Sequence, residues 1–392
     1  MNGPPDRTQN PVLTCNASTS AHDQAAIVRS TYAEDPIRDT DRQAPNSPSR
    51  LELLHFQLAQ LSDPPLCSSG AEFLAIIWIG DRPVAQLYGR ADSAGRIDPN
   101  ALRNAVKHAP INDDHEGGSL DVSGADTTSV VICTRDRAET LARTLSSLRE
   151  QTGKPDQTFV VDNASRSSHV VLHPRWLECL VAAFDSDNVV AVTGLVLPAE
   201  LETSSQVLFE KHWGFGRGFR RVDFDSQYFA RHQGYGCPVW RVGAGASMQF
   251  RRRAFMEFGH FDERLDVGAA GCCGASEYWN RILAAGFMCH YEPVAVAFHF
   301  HRREHDALAR QIFAYMRAHV VALLIQFERH DHVGYLRRLF ASLPYWYARR
   351  AARRILRGTD GTNRLLFLEF RGAVASLVYY LRAWRTSAGI WP

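Results

Sequence analysis

Lysine is almost missing from this 392-residue chain: Lys107, Lys154 and Lys211 are all there is, and arginine supplies the rest of the 44 basic side chains. Such a bias is set by the coding genome as readily as by phosphate binding, to which the guanidinium fork is suited. Net charge is also scarce, at +2, so bulk electrostatics call for no polyanionic partner such as nucleic acid. The eight cysteines stand at 15, 67, 133, 179, 237, 272, 273 and 289, with no C-x-x-C pair among them. That argues against a zinc site and leaves reduced core thiols in a cytosolic protein as the expectation. The opening MNGPPDRTQNPVL has no apolar signal core. No run of about 18 uncharged apolar residues occurs, so no transmembrane helix is expected.

What is present divides the chain into four stretches. Residues 1–50 are rich in Pro, Asp, Ser, Thr and Asn with few large apolar groups, the composition of a disordered tail. Residues 51–110 read as a small β-rich module: strands at Phe73–Ile79 and Pro83–Tyr88 joined by Gly80-Asp81-Arg82, then a short helix at Leu102–Val106. The acidic, glycine-rich Asn112–Asp126 suits a linker. Residues 127–303 alternate strands and helices and form the main α/β domain. In it Glu210–Arg220 reads as a loop, Ser276–Ala285 as a helix closed by Gly286, and Met288–Tyr291 and Val294–Phe298 as two short strands. Residues 304–392 are basic and helical. Leu308, Ile312, Met316, Val320, Leu323 and Phe327 make one long stripe, and Arg329–Arg385 holds twelve arginines against Asp331, Asp360 and Glu369. A basic, aromatic, amphipathic region of this kind either lies on an anionic membrane surface or packs its apolar side on the domain before it.

The most telling stretch is Ser129–Ser165, SVVICTRDRAETLARTLSSLREQTGKPDQTFVVDNAS. The apolar run Val130–Cys133 ends in the polar Thr134–Arg137. Leu141, Leu145 and Leu148 then share a helical face, and the second run, Phe159–Val161, ends in Asp162, Asn163 and Ser165. Strand, helix and strand with polar groups at both strand ends is the arrangement in which an open α/β sheet holds a ligand.

This stretch resembles the first nucleotide-binding unit of family 2 glycosyltransferases, which have the GT-A fold. The resemblance continues through HPRWLECLVAAFDSDNVVAVTGLVLPAELE, GFGRGFR, GAGASMQFRR, GHFDERL, SEYWNRILAAGF and YEPVAVAFHFHRR, so it covers most of Thr127–Arg303. It implies a GT-A-like nucleotide-binding domain with a mainly parallel central sheet. It also implies transfer of a sugar, with inversion, from a nucleotide-sugar donor to a glycan or lipid-linked acceptor, as in the assembly of cell-envelope polysaccharide. The expected location is cytoplasmic, with peripheral contact at the inner face of the plasma membrane. Carried over, the nucleoside positions are Thr134, Arg135, Asp136, Arg137, Asp162 and Asn163. Gly245, in a loop where substrate approaches the backbone, and Trp279, Arg281 and Arg302 are the positions for acceptor or diphosphate. His301 is the position for a ligand to a divalent metal, Mg or Mn.

Two departures cut across this. The family's segment between the VDNAS strand and the PRWL helix is about one βαβ unit longer and ends a strand in an acidic D-x-D cluster. Here Arg166–Leu172 is too short for a crossover of about a dozen residues, and the position before VVLHPRW is His169. Asp185 and Asp187 follow a helix and are expected to face solvent. The position of the family's general base holds Ala275, which leaves Glu277, the nearest carboxylate in sequence, as the catalytic candidate, to contact the acceptor or substitute as base; its other reading is an acid favoured at a helix N-terminus. These departures open the alternative of a catalytically inactive scaffold or nucleotide-binding protein at the membrane surface. Losing a central strand also predicts direct pairing of the strands on either side, or a poorly fixed segment at Arg166–His173.

Overall fold

A computed structural model describes residues 49–111, 127–134, 138–162, 170–266, 268–357 and 363–387. The tail, the 112–126 linker, Arg135–Arg137 and 163–169 therefore lie wholly or almost wholly outside the described residues.

The β-rich module is a three-stranded sheet. β1 (Glu52–Gln57) runs parallel to β2 (Glu72–Ile79), which turns back into antiparallel β3 (Arg82–Arg90). The sequence predicts β2 and β3 but not β1, because ELLHFQ lacks clean alternation. Both faces of β2 are apolar and both are used. Phe73, Ala75 and Ile77 pack with Val84 and with Leu102 of α1 (Pro99–Val106), whereas Leu74, Ile76 and Trp78 belong to the core of the main domain, together with Val190 and Tyr291. The Leu51 N–H donates to the Leu201 carbonyl at 2.9 Å. The module is thus welded on through a shared core.

The main domain opens with β4 (Ser129–Thr134), α2 (Ala138–Arg149) and β5 (Gln157–Asp162). β4 and β5 are parallel and in register from Ser129 opposite Gln157 to Thr134 opposite Asp162. Next come β6 (Val170–Leu172), α3 (Trp176–Ala182), β7 (Val189–Pro198), α4 (Ser204–Trp213), β8 (Val222–Phe224), α5 (Ser226–His232), β9 (Met248–Phe250), α6 (Arg252–Phe258), α7 (Gly274–Ala284) and β10 (Met288–His299). These strands build a five-stranded sheet in the order β6-β10-β7-β9, with β8 also on β10. Its long central pairing, β7 with β10, is parallel, and the short β6, β8 and β9 run antiparallel to their neighbours. Every residue of β7 is buried, as a strand covered on both faces requires.

Two elements differ from the sequence reading. β10 is one strand of 12 residues, with a register shift between Glu292 and Val296. Pro293, which has no N–H to give to the ladder, sits in that shift. Part of the expected loop at Glu210–Arg220 is the end of α4, a helix started by a reciprocal cap in which Thr203 accepts from the Gln206 N–H and Gln206 reaches back to the Thr203 N–H.

Of the two outcomes expected for the short connection, direct pairing is not found among the described residues, and the other falls largely on 163–169, outside them. Among the described residues β4 and β5 pair only with each other. The free edge of β6 is completed by side chains of α2 and the turn after it. Thr144 Oγ1 donates to the Val170 carbonyl at 2.7 Å, and the Leu172 N–H donates to Ser147 Oγ at 3.1 Å. Gln151 Nε2 donates to the His173 carbonyl at 2.8 Å while its Oε1 accepts from the Leu177 N–H at 3.0 Å. Thr144, Ser147 and Gln151 are all buried. A helix edge has taken the place of a strand edge, because buried backbone groups must be satisfied by something.

α8 (His305–His330), α9 (Val333–Arg337), a π-helical turn at Arg338–Ser342, α10 (Leu343–Arg357) and α11 (Asn363–Ser387) complete the described chain. By length and composition α8 alone among the described helices could cross a membrane, an outcome the search for an uncharged run does not anticipate. Leu308, Ile312, Val320, Val321 and Ile325 of α8 are buried within the protein.

Candidate functional site

The parallel register places the carboxyl ends of β4 and β5 side by side, with Thr134 directly opposite Asp162. Arg135, Asp136, Arg137 and Asn163 lie beyond those ends, outside the described residues. Val130 and Ile132 turn the inner face of β4 toward Ala244 and Ala246, with which they share a core cluster. The Gly243–Ser247 loop therefore shares a core with β4.

That loop is held tightly. Ser247 Oγ accepts from the Trp176 indole N–H at 2.8 Å, and the Ser247 carbonyl accepts from the Gly194 N–H at 3.0 Å. Thr193 Oγ1 donates to the Val242 carbonyl at 2.5 Å. Gly245 itself is exposed, and a Cβ placed on it would lie 3.7 Å from the Cβ of Ala275. Two positions singled out from sequence 30 residues apart thus meet in space.

Beside them stands a carboxylate the sequence reading missed. Asp266 Oδ1 accepts from the Gly274 N–H at 2.9 Å at the start of α7. The carboxyl group occupies the space a Cβ at position 274 would need, so only glycine admits it there. Asp266 is backbone-constrained too, at φ 60°, and Cys273 precedes the helix at φ 77°. The surface of Asp266 is open to solvent, yet burial around its carboxyl raises its pKa from the ordinary 3.8, while the Gly274 N–H pulls the other way. Its charge also reaches β4: burial first, and Asp266 second, push the Cys133 thiol up. Asp266 thus caps the N-terminus of α7, next to Ala275. In sequence its only signal is a third acid in FDERLD, too common a feature to single out.

The candidates on α7 are placed differently from the sequence expectation. Glu277 is 0% exposed, with Oε2 2.8 Å from Arg281 Nη2 and Oε1 3.3 Å from Arg329 Nε. Burial raises its pKa, and the two arginines oppose that rise. Arg281 is spent on Glu277 and on the Phe258 and His260 carbonyls at 2.5 and 2.9 Å. Trp279 is a core residue at 1% exposure. The helix turns this face inward because Tyr278, Trp279, Ile282 and Leu283 supply the apolar surface that the core needs. Asp262 extends the network by pairing with Arg264 at 2.8 Å and Arg329 at 2.7 Å. As placed, Glu277, Trp279 and Arg281 are buried and anchor α7.

His301 is likewise engaged. Its Nε2 lies 2.9 Å from Glu210 Oε2, its Nδ1 lies 3.0 Å from His299 Nδ1, and the ring packs 4.6 Å from that of Phe209. His301 is thus held in place by Glu210 and His299. Among the described residues no group of three His, Cys, Asp or Glu side chains is arranged to hold a metal, so they do not fit a Mg or Mn ion. Asp185 pairs with Arg221 at 2.6 Å on the surface, as expected of a helix-end acid. Arg302 follows β10 and is half-buried. The Arg143 guanidinium lies 5.7 Å over the Phe300 ring, which ties this end of β10 to α2.

Residues 129–171 match the model of glycosyl transferase family 2. No curated protein matches the chain. Among solved structures, a mannosyltransferase from Pyrobaculum calidifontis, determined with GDP-Man and Mn2+, is similar at 12% identity and a TM-score of 0.37, covering 64% of this chain and 86% of its own. The matched segment is the β4–α2–β5 unit together with the start of β6 that α2 completes, and over it this chain is similar to glycosyl transferase family 2.

Proposed function

We propose that this chain is a glycosyltransferase that moves a sugar from a nucleotide-sugar donor to a glycan or lipid-linked acceptor with inversion. One observation carries the reading: the family-matched unit ends in two adjacent strand tips, Thr134 opposite Asp162. The nucleoside is held at those tips. The acceptor hydroxyl attacks the anomeric carbon, the bond from that carbon to the diphosphate oxygen breaks, and its electron pair leaves on the nucleoside diphosphate. The acceptor proton passes to Asp266, which stands beside the position that Ala275 cannot serve. A carboxylate with a raised pKa is better matched to taking a proton near neutrality. Arg302, at the end of β10, supplies positive charge for the leaving diphosphate.

A second reading is a nucleotide-binding scaffold without turnover, favoured by Ala275 and by the locked state of Glu277. Calorimetric titration of UDP-, GDP- and dTDP-sugars with and without Mn2+, followed by assay for hydrolysis, separates the two. Binding with release of nucleoside diphosphate supports the transferase. Binding without release leaves the scaffold, and no binding of any nucleotide sugar removes both.

A further inference from the structure

α11 is built inside out. The face it lays against the rest of the protein carries Leu365, Glu369, Gly372 and Ser376, all buried. Gly372 is in such close contact with α8 that a Cβ there would lie 2.5 Å from the Phe313 carbonyl oxygen and 3.2 Å from the Arg317 nitrogen. The opposite face bares Phe367 (60% exposed), Phe370 (55%), Val374 (53%), Leu377 (44%), Val378 (52%) and Leu381 (58%). Steps of three and four residues keep these on one side of the helix. A helix of a water-facing surface has the reverse pattern. Small residues at the helix contact and large apolar ones outside is the distribution found where the surroundings are lipid.

The charge on this face says which surroundings. The exposed positions described on α11 also include Arg371 and Arg382 and no acid. The Arg371 guanidinium rests 5.8 Å over the Phe367 ring. The one acid of the helix, Glu369, is 2% exposed and lies 3.4 Å from Arg350. From Arg329 to Arg385 twelve arginines face three carboxylates. The segment before α11 bares Phe340 at 67% and Tyr345 at 53% as well. A second copy docked on the same stripe would bring arginines against arginines with no carboxylate to meet them, which disfavours self-pairing.

We propose that α11 docks on an anionic lipid bilayer, with its Phe367–Leu381 stripe sunk at the headgroup boundary and Arg371 and Arg382 at the lipid phosphates. The proposal stands apart from the nucleotide-sugar reading, since it concerns another surface and another ligand.

The test is flotation of the full chain with phosphatidylcholine vesicles and with vesicles containing about 30 mol% phosphatidylglycerol, at low and high salt. Binding to the anionic vesicles only, weakened by salt, is expected. Val374→Glu with Leu381→Glu should lower that binding at least tenfold, because apolar insertion is lost. Arg371→Gln with Arg382→Gln should lower it roughly twentyfold and flatten the salt dependence. Both pairs are exposed, and unchanged circular dichroism and melting temperature verify that the fold survives. No flotation with anionic vesicles, or undiminished flotation of the Val374→Glu, Leu381→Glu protein, overturns the proposal. A dimer by light scattering that becomes a monomer in that variant, without vesicle binding, overturns it in favour of a second copy.

Discussion

Thr134 and Asp162 stand opposite each other as the last register partners of the β4–β5 pair. The pair holds this relationship without help from the larger sheet, to which neither strand is joined among the described residues. If the two tips hold a nucleoside, Asp162→Ala should weaken nucleotide-sugar binding by about tenfold to a hundredfold, the loss of a charged hydrogen bond. Calorimetry reads this directly, and an unchanged Kd would remove Asp162 from the site.

Asp266→Asn should lower kcat by about a hundredfold or more while leaving donor binding nearly intact, because a general base acts on the step and not on the complex. Its raised pKa places the acid limb of the kcat/KM profile above the ordinary 3.8. Activity falls as pH drops through that raised value, and the limb disappears in the variant. A limb that survives Asp266→Asn assigns the base elsewhere.

Gln151→Leu should destabilise the fold by about 1–3 kcal/mol, since it orphans the Leu177 N–H and takes one of two donors from the His173 carbonyl, which also accepts from the Trp176 N–H. Ser147→Ala should act in the same direction through the Leu172 N–H. Urea denaturation measures both. Effects near zero would mean that water replaces the helix side chains at the β6 edge.

Glu277→Gln should destabilise by about 3 kcal/mol, because it removes the only carboxylate that, among the described residues, pairs with the buried Arg281, while Arg329 keeps Asp262. Nucleotide binding of the surviving folded protein should be unchanged. A large loss of turnover with full stability would instead return Glu277 to the chemistry.

Asp262 sets an acid-stability limit. Burial is the largest single influence on it and acts to raise its pKa, but the bonds from Arg264 and Arg329 together outweigh burial and hold the carboxyl well below the usual 3.8. A depressed folded pKa means stability that is present above about pH 4 and lost as pH falls below it. Glu277 and Asp266, both raised, act in the opposite sense. Melting temperature followed from pH 6 to pH 3 should therefore drop less in Asp262→Asn than in the parent chain, which starts higher.

Much of the architecture was legible because it rests on local pattern. The β2–β3 hairpin, the β4–α2–β5 unit and the stripe of α8 each show a periodicity that few alternatives share. β1 and α4 were not legible, the first for want of alternation and the second because aromatic and glycine residues after Glu210 obscured its C-terminal turn. Of the candidate site, Gly245 and Ala275 were legible as positions but not their meeting, nor the burial of Glu277 and His301. Each carries chemistry suited to its place in the chain, and each is engaged by partners at sequence distances of 2 to 91 residues.

The sequence alone determined the α/β class, the strand ends that point to a nucleotide, and the lack of an acid at Ala275 and of a D-x-D segment, because these depend on residue identity and short spacing. Only the tertiary structure decided that Glu277 is buried in ion pairs, how α2 completes the edge of β6, and that α11 faces outward with its apolar side. Those outcomes depend on which groups compete for the same partners once the chain is packed, and burial and pairing are properties of the whole fold.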